Sequence, residues 1–318
     1  MGDFMKKTER EKSLRRNRLM LRGSKKGEPL RFFLWISPWA IGFFLLTLLP
    51  LLGSLYISFT EWKIINDPVW VGLANYKDLS ADDIFIKSLK VTFLYCAITI
   101  PATLVLSLAL AMLLNGDLPY AGVLRTIYSL PCVVSSVAAA LLWSWIFNYR
   151  YGLLNQLLAL IGIQGPDWMG DERWALISLA LFSLWGVGGG IMFYLAGLQA
   201  VPQHLHETAK IAGAGWWRRL FTITLPSMSP ILLFSLLTNL IGGLQTFTPA
   251  YILTEGGPNY STTLYALYLY YNAFRYHKMG KACAMAWILF VIIMVLSALV
   301  MKVASPMVYY ENDSGEDG

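Results

Sequence analysis

The sequence predicts an all-α integral membrane protein with six transmembrane helices and both termini in the cytoplasm. Three observations lead there. The 318 residues are 56% hydrophobic and only 14% charged, with a mean hydropathy of +0.53, whereas a soluble globular chain carries about 25% charge. Six apolar stretches, about 32–59, 86–114, 122–147, 174–200, 227–253 and 282–304, each reach the ~20 residues needed to cross ~30 Å of hydrocarbon. They are continuous rather than alternating, which excludes the strands of a β-barrel. With the N-terminus inside, sixteen of the 25 Lys/Arg fall on cytoplasmic segments and nine in or beside external loops, the asymmetry that orients membrane helices.

Residues 1–31 read as a basic cytoplasmic tail. Eleven Lys/Arg stand against four acids there, a net +7, while the other 287 residues sum to −1. The tail abuts an apolar run, so its expected partner is anionic membrane lipid and not nucleic acid. The run that follows is too long for a cleavable signal. Residues 32–305 form the membrane domain, and 306–318 a short acidic cytoplasmic tail.

Between the spans, Trp62, Trp70 and Tyr76 are expected as interfacial anchors in the first external loop. Leu153 to Ile163 is too short to span and is expected to lie along the outer surface. Thr254-Glu255-Gly256-Gly257-Pro258 is a turn signal. Pro38, Pro50, Pro101, Pro131 and Pro249 fall in or near spans and are expected to bend them. Gly186, Gly188 to Gly190 and Gly197 offer a small-residue packing face in the fourth span. Cys96, Cys132 and Cys283 are expected to pack as small apolar residues, since an odd, scattered set suits neither disulfides nor a metal.

Catalytic constellations are missing from the sequence. There is no phosphate-binding loop, no His-Glu-x-x-His and no Cys-x-x-Cys. The chain therefore reads as a non-enzyme without cofactor or metal, and any ATP that powers it is bound by a separate subunit. Polar groups at membrane depth are neutral: Ser235, Thr238, Asn239, Gln245 and Thr246 in the fifth span, with Trp143, Trp145, Trp185 and Tyr194 elsewhere. Such groups suit an uncharged, hydroxyl-rich solute, and Asn239, Gln245, Trp185 and Tyr194 are the candidates for a substrate path. A proton- or ion-coupled carrier working alone is the alternative, but it usually needs a titratable group at that depth.

The cytoplasmic loop 201–226 is the most informative segment. Pro202 and Gly213 predict a helix near 202–212. Ala209, Ala212 and Gly213 would share a shallow face, with the Glu207 carboxylate open to a partner or to Lys210. Gly213 and Gly215 then break the chain before Trp216, and Pro226 opens the fifth span. A helical elbow of this kind suits docking into a partner's cleft.

This loop resembles the EAA loop of bacterial ATP-binding-cassette (ABC) importer permeases. Glu207, Ala209, Gly213, Ala214, Gly215, Trp217, Ile223, Leu225 and Pro226 match its pattern; Thr208, Ala212 and Leu220 depart from it. Ser37-Pro38, Leu49-Pro50, Ser58-Phe59, Val71 to Tyr76, Thr254 to Pro258, Phe274 and Gly280 extend the similarity to the maltose-type, carbohydrate-importing branch over about 30–305. The resemblance implies a type I importer permease fold in the bacterial cytoplasmic membrane. It implies a second homologous permease subunit, two ABC ATPase subunits, an extracytoplasmic solute-binding protein and a carbohydrate substrate. It also implies that Glu207, Ala209, Gly213, Ala214 and Gly215 form the contact with the ATPase.

Overall fold

The computed structural model describes residues 28–116 and 120–308. Most of the basic tail and of the acidic tail expected from the sequence lies outside these residues. The chain divides near Tyr56 into two units, each described by itself.

The first unit holds the first expected span. Helix α1 (Glu28–Gly42) passes through a π-helical turn, Phe43–Leu48, into α2 (Leu49–Ser58). The wide turn has a local cause. Pro50 has no N–H to give the Leu46 carbonyl and its ring crowds that oxygen, so the helix loosens just ahead of it.

In the second unit, a short antiparallel pair, β1 (Thr60–Glu61) and β2 (Val69–Trp70), precedes α3 (Ala74–Ser80). The longest helix, α4 (Asp83–Leu114), follows. Asp82 caps it, Oδ1 accepting from the Ile84 and Phe85 N–H groups at 3.0 and 3.2 Å. Pro101 lies inside α4 without interrupting it. Helix α4 packs most extensively against α8 (Glu172–Trp185), α9 (Gly188–Ala200), α13 (Ser229–Leu244) and α14 (Tyr265–Tyr270).

Among the described residues, three helices are long and apolar enough to cross a membrane alone: Leu34–Ser58, Asp83–Leu114 and Met279–Ala304 (α15). The other three expected spans are bent pairs. Helices α5 (Ala121–Val133) and α6 (Ser136–Ile146) meet at 100°, α8 and α9 at 50°, and Trp216–Ser227 and α13 at 70°. Each break has a residue-level reason. Val134 and Ser135 are extended just after Pro131. Gly186 and Val187 separate α8 from α9, and a Cβ on Gly188 would stand 1.9 Å from the Tyr128 carbonyl oxygen, so that glycine is fixed by the close approach of α5. Pro230, at the start of α13, cannot donate back across Met228.

Helix α7 (Leu153–Leu160) lies in the expected apolar patch and leaves Leu157, Leu160, Ile161 and Ile163 exposed. Asn155 ties it down, donating to the Tyr149 and Pro166 carbonyls and accepting from the Trp168 indole at 2.7 Å. Of the cysteines, Cys96 is buried and Cys283 half-buried, but Cys132 is exposed, so only two of them pack as expected.

Two buried clusters sit at opposite ends of α4. One gathers Leu79, Phe85, Tyr95, Leu264, Tyr265, Tyr268 and Met285 near its start. The other gathers Ala111, Leu114, Ile191, Tyr194, Leu195 and Met228 near its end, beside the elbow.

Candidate functional site

Two places combine exposed or cavity-lining groups with the residues singled out in the sequence. The first is the elbow. Helix α10 (Gln203–Ile211) starts after Pro202, whose extended backbone sets the entry. It ends as the glycine predicts: Gly213 has φ +76°, its N–H bonds the Lys210 carbonyl at 3.0 Å, and the Ala214 N–H bonds that of Ala209 at 2.9 Å. The chain then turns into α11 (Trp216–Arg219), where Trp216 and Trp217 meet edge to face and Trp217 stacks on Phe221. A second π-helical stretch, Leu220–Thr224, leads into α12 (Leu225–Ser227) and precedes Pro226 for the same reason as the one before Pro50.

The elbow brings the five candidate residues together along about ten residues of chain. Glu207, Gly213 and Gly215 are exposed, while Ala209 and Ala214 are half-buried. Glu207 takes part in neither of the two ion pairs among the described residues, so the local option with Lys210 is not used. Ile211 is 89% exposed at the tip, an unusual position for a large aliphatic side chain on a charged helix. Beneath the elbow, His206 titrates below its ordinary value. Burial disfavours its charged form, and the nearby Arg219 and Lys210 add to the effect.

The second place is a cavity of about 400 Å³ between α4, α8 and α13. Thr99 and Thr103 face it from α4, Ser183 from α8, and Thr238, Asn239 and Thr246 from α13 and the turn after it. Tyr95 joins them and hydrogen-bonds Ser183. No Asp, Glu, Lys, Arg or His lines it. Most of the hydroxyls donate to carbonyls one turn back, Thr99 to Tyr95 at 2.8 Å and Thr246 to Gly242 at 3.1 Å. Asn239 Nδ2 likewise donates to the Ser235 carbonyl at 2.8 Å. Those donors are thereby occupied, and the oxygen lone pairs remain open to solute hydroxyls.

The four candidate path residues do not converge. Asn239 lines the cavity. Gln245 caps the end of α13 and is exposed. Trp185 ends α8, half-buried edge to face with Trp143. Tyr194 is 0% exposed within the second buried cluster, and its hydroxyl donates to Ser235 at 2.7 Å. Its phenol braces α9 against α13. Thr99 and Thr103 were missed, although two threonines four apart in an otherwise apolar span mark one polar stripe.

The motif before the second span also acquires a physical meaning. Asn75 Nδ2 donates to the carbonyls of Ser58 and Thr60, both at 2.9 Å, and the Tyr76 hydroxyl lies 2.9 Å from Ser58 Oγ. These side chains hold Ser58 and Thr60, at the start of the second unit, against α3.

Bent pairs of apolar helices, an exposed elbow and a polar cavity lined by no charged side chain are the features of a membrane permease subunit. The chain belongs to the family described as the binding-protein-dependent transport system inner membrane component, whose sequence model matches residues 93–305. It is 39% identical over 294 residues to the probable ABC transporter permease protein YesP of Bacillus subtilis, covering 91% of this chain and 95% of that one. It is 32% identical to the trehalose/maltose transport system permease protein MalF of Thermococcus litoralis, covering 85% and 92%. The fold matches that in the crystal structure of a bacterial ABC transporter involved in the import of the acidic polysaccharide alginate. The TM-score is 0.78 at 22% identity, covering 90% of this chain and 98% of that one.

Proposed function

We propose that this permease forms half of the translocation path of an ATP-driven carbohydrate importer, pairing with a second, homologous permease. Two ATPase subunits would lie on the cytoplasmic side and a sugar-binding protein on the other. The observation that carries the sugar reading is the cavity around Asn239: hydroxyls, an amide and small residues, with no Asp, Glu, Lys, Arg or His lining it. A charged solute would need a counter-charge there; a polyhydroxyl solute needs acceptors and donors at close spacing. Relatives named for trehalose/maltose and lactose transport support the same class. A related complex holds a periplasmic protein bound to an alginate pentasaccharide, which supports delivery by a binding protein.

In this reading the elbow is a lever. Exposed Glu207 and Ile211 engage a groove on the ATPase, and closure of the ATPase pair drags α10. The short α11 and the π-helical stretch before Pro226 pass that displacement into α13, which carries Asn239. The cavity then opens alternately to each side. An ion-coupled carrier finds no support in the cavity lining or among the relatives.

The test is uptake by the assembled complex in vesicles. Sugar uptake should require ATP inside and the binding protein outside, and should survive an uncoupler. Uptake that continues without ATP but stops with the uncoupler overturns the reading.

A further inference from the structure

We propose that a cluster of aromatic rings at the Asp82 end of the bundle is a second, outer sugar subsite. It would hold a ring of an oligosaccharide whose inner end occupies the Asn239 cavity. This rests on the carbohydrate reading above and adds to it a preference for chains long enough to reach both places over single rings, which occupy the inner cavity alone.

The rings come from two segments. Phe247 and Tyr251 follow α13, the latter in the π-helical turn Ala250–Thr254. Tyr270 and Phe274 straddle the end of α14 and the π-helical turn Tyr271–Arg275. Phe247 and Tyr251 are stacked at 5.2 Å and 17°, Phe247 and Tyr270 lie at 4.9 Å, Tyr251 and Tyr270 at 5.4 Å, and Tyr270 and Phe274 at 5.1 Å. Tyr251, Tyr270 and Phe274 border a concavity of about 320 Å³ completed by Tyr271, Glu255 and Arg275, and Phe247 backs Tyr251 and Tyr270.

Three features set this apart from a belt of interfacial aromatics, whose rings anchor a helix in the headgroup layer. The rings line a hollow, with Tyr251 and Phe274 39% and 58% exposed beside it. The hollow carries a carboxylate and a guanidinium that do not pair with each other, although both reach its wall. The Arg275 guanidinium instead lies 5.2 Å over the Tyr271 ring. Flat rings for the apolar C–H faces of a pyranose, with a carboxylate and a guanidinium for its hydroxyls, are the complement of one sugar unit.

Continuity supplies the occupant. Thr246 lines the Asn239 cavity, and the next residue, Phe247, begins the stack that reaches the outer hollow. A linear solute leaving the cavity along this wall passes from hydroxyl acceptors directly onto ring faces. The outer subsite therefore contributes binding only to a chain long enough to reach both places.

The experiment uses the complete transporter with its binding protein in proteoliposomes. The probes are mono- to pentasaccharides of glucose, galactose, arabinose, xylose and rhamnose. Phe274→Ala and Tyr251→Leu remove exposed ring faces, and Glu255→Gln with Arg275→Gln removes the polar rim without altering the stack. For each variant, KM is measured for the shortest and longest transported members of one series. The expected result is a KM ratio, longest to shortest, raised about tenfold by either ring variant and less by the rim pair. A wild-type transporter confined to single-ring sugars, or a KM ratio unchanged in all variants, overturns the outer subsite alone. Transport of none of the panel overturns the carbohydrate reading and the subsite with it.

Discussion

Lys281 Nζ lies 2.6 Å from Asp82 Oδ2, joining residues 199 positions apart at the mouth of the bundle. The Tyr268 hydroxyl donates to the same oxygen at 2.6 Å, and Asp82 Oδ1 caps α4. One carboxylate therefore ties together the starts of α4 and α15 and the helix between them. Both charged side chains are only 16% exposed, so removing one strands the other.

Asp82→Ala should destabilise the protein by about 2–4 kcal/mol, the range for a lost cap together with a broken, largely buried pair. Burial alone would raise the Asp82 carboxyl. The hydrogen bonds from Lys281, Tyr268 and the Phe85 N–H, with the Lys281 charge, outweigh it and hold the group below its ordinary 3.8. A depressed carboxylate contributes stability that is complete above its unfolded value and is lost as pH falls toward the folded one. Melting curves of the detergent-purified protein should thus show a wild-type loss below about pH 4 that Asp82→Ala lacks. Parallel curves for the two proteins would refute the assignment.

Gly280 presents a different constraint at the same mouth. A Cβ there would stand 1.9 Å from the Thr60 carbonyl oxygen, a backbone atom that Asn75 already holds. Gly280→Ala should cost about 1–3 kcal/mol through forced displacement, and Gly53→Ala, with open space around it, serves as the control. Equal melting temperatures for the two variants would mean that the loop yields freely.

How much of this was legible beforehand depends on range. The elbow helix was, because Pro202 and Gly213 act within their own turn. Pro131 marked the bend near Val134, although Pro101 carries the same signal and leaves α4 unbroken; the bends near Val187 and Met228 were not located, and it is the approach of Tyr128 that fixes Gly188. The same limit applies to the path residues. Asn239 and Tyr194 are equally polar in equally apolar spans, and only packing sends one to a cavity and the other to Ser235. The Asp82–Lys281 pair has no local trace at all. The outer aromatic cluster did leave one, since Phe247/Tyr251 and Tyr270/Phe274 are each four apart.

Asn239 and Tyr194 can be separated by experiment. Tyr194→Phe removes a hydroxyl whose partner, Ser235 Oγ, retains only Asn239 Nδ2 at 3.3 Å. It should lower stability by about 1 kcal/mol and leave the KM for sugar unchanged. Asn239→Ala should raise that KM about tenfold with little change in melting temperature. Exchange of these two outcomes would place the path on the α9 side.

The elbow separates coupling from folding. Glu207→Lys should leave membrane levels intact while abolishing uptake and sugar-stimulated ATP hydrolysis, because an exposed carboxylate with no local ion pair has little role in the fold. Gly213 is held at φ +76° with open space where a Cβ would stand, so a side chain there is penalised by conformation and not by collision. Gly213→Asp and Gly213→Asn both tolerate that region better than most residues and differ chiefly in charge. Loss of coupling in the Asp variant, with substantial retention in the Asn variant, would mark an electrostatically sensitive docking surface. Full uptake by Glu207→Lys would count decisively against docking at this helix.

His206 gives the elbow a pH dependence of known sign. Burial and the Arg219 and Lys210 charges keep its folded value below the ordinary 6.5. A depressed histidine favours the fold while neutral, so its contribution is complete above about pH 6.5 and is lost as pH falls through the lower folded value. Acidification should therefore loosen α10 from α11 and weaken coupling before the bundle itself melts. ATPase stimulation by substrate-loaded binding protein, measured from pH 5 to 8, should fall on the acid side in wild type. His206→Gln, which stays neutral throughout, should flatten that limb. An acid limb that persists unchanged in the Gln variant would assign the titration to another group.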